Sequence, residues 1–169
     1  MVGHVIITFI TITSVIILEV SPMSDTHYDA LLLKNQLCFP LYAASREVIK
    51  RYRPHLDALG LTYTQYVVLM VIWEHGTVSV RDLGRTLFLD SGTLTPVLKT
   101  LEKNGLITRR RSTEDERVLM VTVTGAGQVL RDRALSIPED VHASLGLDMQ
   151  EMAQLRHLLD KILIASGEV

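Results

Sequence analysis

Two groups of side chains in this sequence could do chemistry. One is a single thiol: Cys38, the only cysteine of 169 residues, lies in the stretch "NQLCFPLY" among apolar neighbours. A lone cysteine cannot close a disulfide within the chain, which fits a reducing cytoplasm, but it can still react with a small molecule or a second chain. Its neighbours alone read as core packing, because a free cysteine behaves as a small hydrophobe. Reactivity would need electropositive or partly open surroundings. The other group is cationic. Between residues 79 and 117, Arg81, Arg85, Lys99, Lys103, Arg109, Arg110, Arg111 and Arg117 outnumber six acids, so this segment is +2 within a chain whose formal charge is −2. A modest local excess is ordinarily a solvated face, unless the fold gathers it against a phosphate backbone.

Other chemistries find less support. The histidines His4, His27, His55, His75, His142 and His157 show no metal-ligand spacing such as H-x3-H. No metal and no cofactor is expected, and a zinc-responsive regulator is a weak reading. Gly84 in "RDLGRTL" does not make a phosphate loop.

The elements that must position these groups are mostly helical. From Tyr28, Leu33, Leu37, Leu41, Ala44, Val48 and Tyr52 recur three or four apart, predicting an amphipathic helix of about six turns. Pro40 lies inside that span, where it either kinks the helix or restarts it; a restart puts backbone N–H groups near Cys38, which favours a thiolate. "PHLDALGLTYTQ" reads as a break, with Thr62 or Thr64 capping a helix that runs through Trp73 to the His75-Gly76 stop. Two short amphipathic helices follow, the first capped by Ser79 and the second by Asp90 or Ser91, with Gly105 ending the pair. "LITRRR" and "RVLMVTVT" then flank the charged turn "STEDE" as a hairpin. Further helices are expected over 128–135, a break at Pro138, and a last amphipathic helix over about 148–164 with Leu155, Leu158, Leu159 and Ile162 as its stripe.

The first twenty residues, "MVGHVIITFITITSVIILEV", are almost all apolar or threonine and carry no Lys or Arg. Their length matches a membrane span, whereas a secretory signal would need a positive start and a small-residue cleavage site. We read residues 1–22 as an upstream extension with Met23 as the start, and expect residues 23–169 to form one domain, with no membrane partner.

Two short helices followed by a hairpin make a winged helix-turn-helix. Within 91–104, Leu94, Val97 or Leu98, and Leu101 face inward by spacing. Ser91, Thr93, Thr95, Lys99 and Lys103 are left outside, the hydroxyls near base edges and the lysines near phosphates. Pro96 and the Thr95 methyl would add apolar contact to thymine methyls. In the wing, Arg109 and Arg110 are expected to touch DNA, Arg117 to enter the minor groove, and Asp115 to be a structural partner that orients a wing arginine.

"DERVLMVTVT" resembles the D-x-R-x5-L-T wing motif of the MarR family of winged-helix repressors, with Val123 where leucine is usual. "NQLCFPLYAASRE", "LTYTQYVVL" and "LDSGTLTPVLK" are similar to the organic hydroperoxide resistance regulator (OhrR) subfamily, from about residue 34 to 137 and more loosely to 164. The fold this implies is mainly α with a small β-hairpin wing: a winged helix-turn-helix (79–124) between N- and C-terminal dimerisation helices (28–60 and 128–166).

The resemblance also implies a function: a cytoplasmic homodimeric repressor on pseudo-palindromic double-stranded DNA, not an enzyme, whose Cys38 is oxidised by organic hydroperoxides. It places Tyr52 and Tyr63 of the partner subunit, with Tyr42, as hydroxyls around the sulfur. Without it, all three tyrosines read as amphipathic core or interface. Lacking a second cysteine, the chain would be of the single-cysteine type, inactivated by a mixed disulfide with a low-molecular-weight thiol or by overoxidation. Two other readings stand beside it: a thiol peroxidase, and a MarR-type regulator of a phenolic or drug-like ligand with Cys38 as packing.

Overall fold

Capping side chains and glycines set the helix borders. Thr62 accepts from the Gln65 amide while the Gln65 side chain accepts from the Thr62 amide, a reciprocal capping box that starts one helix. Ser79 and Asp90 cap the next two by accepting from the Asp82 and Thr93 amides. Gly76 and Gly105 end helices at positive φ, where a Cβ would be strained. The computed structural model describes residues 26–165, and the apolar extension read over 1–22 lies outside the described residues. The chain divides into two compact units after Pro40.

In the first unit, the described residues form two short 3-10 segments, Thr26–Leu31 and Leu33–Asn35. The Asn35 side chain donates to the Asp29 carbonyl at 2.7 Å, and that of Gln36 to the Ala30 carbonyl. The first long helix, α1 (Cys38–Asp57), therefore begins ten residues later than the apolar spacing from Tyr28 predicts. The reason is local: Pro40 has no N–H to give, and as the third helical residue it needs none, since the first four amides of a helix lack intrahelical acceptors. The helix restarts rather than kinks. At its other end α1 runs on through Pro54 to Asp57, past the predicted break, at the cost of one backbone hydrogen bond.

The second unit continues as α2 (Tyr63–His75), β1 (Thr77–Ser79), α3 (Val80–Leu87), α4 (Ser91–Lys103), β2 (Ile107–Arg111), β3 (Leu119–Val123), α5 (Gly125–Arg133), α6 (Ile137–Ser144) and α7 (Met149–Ala165). The strands form one antiparallel sheet in the order β1-β3-β2, with Thr77 opposite Thr122 and Arg109 opposite Val121. α2 is the central helix. It buries Tyr66, Val68, Leu69, Val71, Ile72 and Trp73, and so is apolar nearly all round. Leu83 of α3, Leu94, Leu98 and Leu101 of α4, and Ile107 and Val121 of the sheet pack into this core, with Leu56 of α1, Leu130 of α5 and Val141 of α6. Each such side chain contributes about 1.5–3 kcal/mol by leaving water. At the 97/98 alternative the structure selects Leu98 as the inward residue.

One close approach and one cap fix the elements around the hairpin. A Cβ on Gly84 would sit 2.8 Å from the Leu89 carbonyl oxygen, so α3 needs glycine there to pack under the α3–α4 turn. α5 starts at Gly125, earlier than predicted, because Thr124 caps it and also donates to the Gly105 carbonyl at 2.6 Å. Pro138 lies in the first turn of α6, so it begins a helix where the sequence suggested only a break. Among the described residues, α7 has no buried side chain and α1 buries only Leu56.

Candidate functional site

The outward face of α4 carries most of the residues singled out from sequence. Ser91, Thr93, Thr95, Pro96, Lys99 and Lys103 are all exposed. Their hydroxyls are not equally free. The Asp90 carboxylate accepts from the Thr93 amide at 2.9 Å and from its hydroxyl at 3.1 Å, and these two bonds, the amide's first, hold the carboxyl below its usual range. The Thr95 hydroxyl donates to the Ser91 carbonyl at 2.6 Å, and the Thr100 hydroxyl to the Pro96 carbonyl at 2.9 Å. Thr95 therefore offers its methyl outward, while its donor is spent on the helix. Pro96 in turn removes an amide from the middle of α4, freeing the Gly92 carbonyl in the helix's first turn.

The wing is stitched by its own turn. The Asp115 carboxylate accepts from the Arg117 amide at 2.9 Å, and its carbonyl from the Val118 amide at 2.9 Å. The Ser112 hydroxyl accepts from the Glu114 amide at 3.2 Å. Asp115 thus orients Arg117 through the backbone, not through the guanidinium. Arg111 donates to the Glu116 carbonyl at 2.8 Å. Arg109 has a partner that the sequence did not announce: its Nε and Nη2 donate to Oε2 of Glu102 at 3.0 and 2.6 Å, and its amide to Oε1 at 3.1 Å. Among the described residues, the guanidinium groups of Arg110 and Arg117 have no hydrogen-bonding or ion-pair partner, and both residues are exposed.

Cys38 opens α1 and is exposed, as are Leu37 and Phe39 beside it. It is not packing in the core of this chain. In the second unit, Tyr52 and Tyr63 meet edge to face with ring centroids 5.1 Å apart, and Tyr66 lies 5.9 Å from Tyr52. Burial raises the hydroxyl pKa of all three above the ordinary phenol value, with the neighbouring tyrosines adding to it at Tyr52 and Tyr66. These phenols stay protonated and can donate. Tyr42 stands apart from the pair. It is exposed, it accepts a 3.1 Å hydrogen bond from Arg46, and the Arg46 guanidinium lies 5.5 Å from its ring centroid. Among the described residues no three His, Cys, Asp or Glu side chains are grouped to hold a metal ion, and no helix is long and apolar enough to cross a membrane.

The MarR family model matches residues 61–119, the stretch from the start of α2 to the wing. Over 134 residues the chain is 48% identical to the organic hydroperoxide resistance transcriptional regulator of Bacillus subtilis, covering 79% of this chain and 89% of that protein. The chain belongs to the MarR family.

Further relatives of this MarR-family chain include the HTH-type transcriptional regulator SarZ of Staphylococcus haemolyticus, 42% identical over 78% of this chain and 89% of that protein. Reduced AbfR bound to DNA, AbfR being a protein of Staphylococcus epidermidis, is a structural neighbour with a TM-score of 0.68 and 34% identity, over 80% of this chain and 92% of that one. The chain is thus a MarR-type transcriptional regulator with a winged helix-turn-helix, as the sequence implied. Sequence reading of this MarR domain missed three features. Glu102 gave no sign beyond one acid near the end of a helix. Tyr66 read as an ordinary member of the apolar run after Thr64. The strand β1 is only three residues long, although its "TVS" directly after a helix-ending glycine was a usable signal.

Proposed function

We propose that the chain is a cytoplasmic, peroxide-sensing repressor that binds a pseudo-palindromic operator as a homodimer and leaves it when Cys38 is oxidised. Its helices over 28–60 and 128–166 would join the two copies, and 79–124 would meet DNA through Ser91, Thr93, Thr95, Pro96, Lys99, Lys103, Arg110 and Arg117. The observation that carries the sensing step is the exposure of Cys38 between exposed Leu37 and Phe39. A reactive thiol must be reachable, and apolar flanks select organic hydroperoxides over hydrogen peroxide. Tyr52 and Tyr63 of the second copy, with Tyr42, would donate hydroxyls to the sulfur. For Tyr52 and Tyr63, the raised pKa keeps those donors protonated.

The chemistry balances in two steps. The sulfur attacks the distal oxygen of R–O–O–H, the O–O bond breaks, and the alkoxide leaves as an alcohol after taking a proton, giving a sulfenic acid. A low-molecular-weight thiol then attacks that sulfur, forming the mixed disulfide and releasing water. A structural neighbour, AbfR, has been crystallised on DNA in an overoxidised form, which counts against overoxidation as the releasing state. The adduct would push the tyrosines aside and change the spacing of two recognition helices that must fit successive major grooves.

The test pairs a gel shift with intact mass before and after cumene hydroperoxide plus a small thiol. The unsubstituted protein should gain the mass of one thiol adduct per chain and release DNA, while Cys38→Ser should bind DNA and stay bound. Release of Cys38→Ser by the peroxide would overturn the sensing step.

A further inference from the structure

The wing is tied to α4, the recognition helix of the proposed reading, by one ion pair reinforced by a backbone hydrogen bond. Glu102 lies in the last turn of α4 and Arg109 in β2, and three hydrogen bonds of 2.6–3.1 Å join them. Both carboxylate oxygens are used, one by the side-chain fork and the other by the strand's own amide. The Arg109 side chain is 19% exposed and that of Glu102 37%, so the pair is partly withdrawn from water, where charge-assisted hydrogen bonds are stronger than in a fully exposed contact. The guanidinium holds the Glu102 carboxyl below its usual range, chiefly through the side-chain hydrogen bond.

This bond decides which wing cations face DNA. Arg109 is spent on Glu102 of α4 and Arg111 on the Glu116 carbonyl within the wing. Arg110 points its exposed side chain from the same strand, and Arg117 stands across the turn held by Asp115. The base of the hairpin is anchored, since Ile107 and Val121 are buried and β3 also pairs with β1. Arg109 lies where β2 leaves that anchored base, so its tie to Glu102 braces the projecting tip that carries Arg110 and Arg117.

We infer that Glu102 is a positioning residue for DNA binding: through Arg109 it locks the wing to the recognition helix, leaving Arg110 and Arg117 as the wing's phosphate and groove contacts. This rests on the reading of α4 and the wing as the DNA-binding surface. It reassigns Arg109 from contacting DNA to bracing the arm that does.

The sign of one substitution separates the two roles. If Arg109 were a DNA contact merely neutralised by its neighbour, Glu102→Ala would free a cation and tighten binding. As a brace, Glu102→Ala loosens the wing and weakens binding, by about tenfold if the pair couples as contacting charged residues do.

Binding is measured across a salt series, on a duplex selected from random sequence by the unsubstituted protein. Arg110→Ala and Arg117→Ala should each reduce the slope of log affinity against log salt by about 1. Arg109→Ala and Glu102→Gln should lower affinity with the slope unchanged, and the charge-swapped pair E102R with R109E should recover most of the loss. Thermal unfolding of each variant, confirming a folded protein at the assay temperature, keeps the comparison fair. Tighter binding by Glu102→Ala, or a slope change in Arg109→Ala equal to that of Arg117→Ala, overturns the brace alone. Failure of the unsubstituted protein to select any duplex overturns the DNA-binding reading, and the brace with it.

Discussion

The indole nitrogen of Trp73 donates a buried 2.9 Å hydrogen bond to the carbonyl oxygen of Gly127. The bond joins the central helix α2 to the first turn of α5, at the point where α5 lies against the chain leaving the recognition helix. A Cβ on Gly127 would come within 2.3 Å of the Leu106 carbonyl oxygen and 2.7 Å of a Val123 methyl. Neither is a flexible side-chain tip with room to withdraw. Gly127 is therefore required for close approach, not for backbone freedom, since its φ is not positive. Gly127→Ala should lower unfolding free energy by about 3 kcal/mol or more, the range of severe overpacking. Trp73→Phe, which removes the indole donor and leaves a smaller ring in a buried site, should cost about 1–3 kcal/mol. Urea titrations followed by circular dichroism measure both; a Gly127→Ala midpoint equal to the unsubstituted one would refute the close-packing account.

The tyrosine cluster predicts a pH dependence with a definite sign. Tyr52, Tyr63 and Tyr66 have raised pKa values because burial disfavours the phenolate, and their ordinary value is 10.0. A group whose folded pKa lies above its unfolded one lends stability below the unfolded pKa and loses it as pH rises through the folded value. The cluster's contribution should thus be intact at neutral pH and disappear above about pH 10. Spectrophotometric titration of phenolate absorbance should show three of the five tyrosines ionising late, together with unfolding. Substituting Tyr52 and Tyr63 with Phe should shift the alkaline unfolding limit upward. Ionisation of Tyr52, Tyr63 and Tyr66 at the ordinary value, with the protein still folded, would contradict the burial argument.

Much of this architecture was legible because it is written in local chemistry. Thr62, Ser79 and Asp90 are oxygen-bearing caps, and Gly76 and Gly105 are stops at positive φ; each acts within three or four residues of itself. The wing was legible because two β-prone runs flank a turn whose Asp and Ser bond their own backbone. What sequence did not reveal depends on contacts between elements. The Glu102–Arg109 pair spans a helix end, a turn and a strand, so no periodicity marks it. Gly127 sits against Leu106 and Trp73, which are distant in the chain. The start of α1 was misplaced because apolar spacing continues smoothly through a proline that interrupts the backbone pattern. At Cys38 the neighbours taken alone read as core packing, whereas those neighbours are themselves exposed, and it was the family resemblance that pointed to a reactive thiol.

Leu155, Leu158 and Ile162 lie on one face of α7 at 47%, 57% and 50% exposure, and Leu158 follows Leu155 by one turn. Such a run of large apolar side chains on an exposed helix is unusual for a monomer and marks an association surface. In the proposed dimer these residues would be covered by a second copy. Replacing Leu158 with Glu would place a charge at the centre of that surface, where burial without a partner is costly. Fold stability of the isolated chain should change little, because more than half of Leu158 is exposed within it. The expected result is a shift from dimer to monomer in light scattering at micromolar concentration. DNA affinity should fall steeply, since two half-sites would no longer be engaged together. Leu135→Glu is a matched control, exposed at 81% on the connection between α5 and α6 rather than on the α7 face. If Leu158→Glu stays dimeric and binds DNA as tightly as the Leu135→Glu control, the α7 face is not the dimer interface.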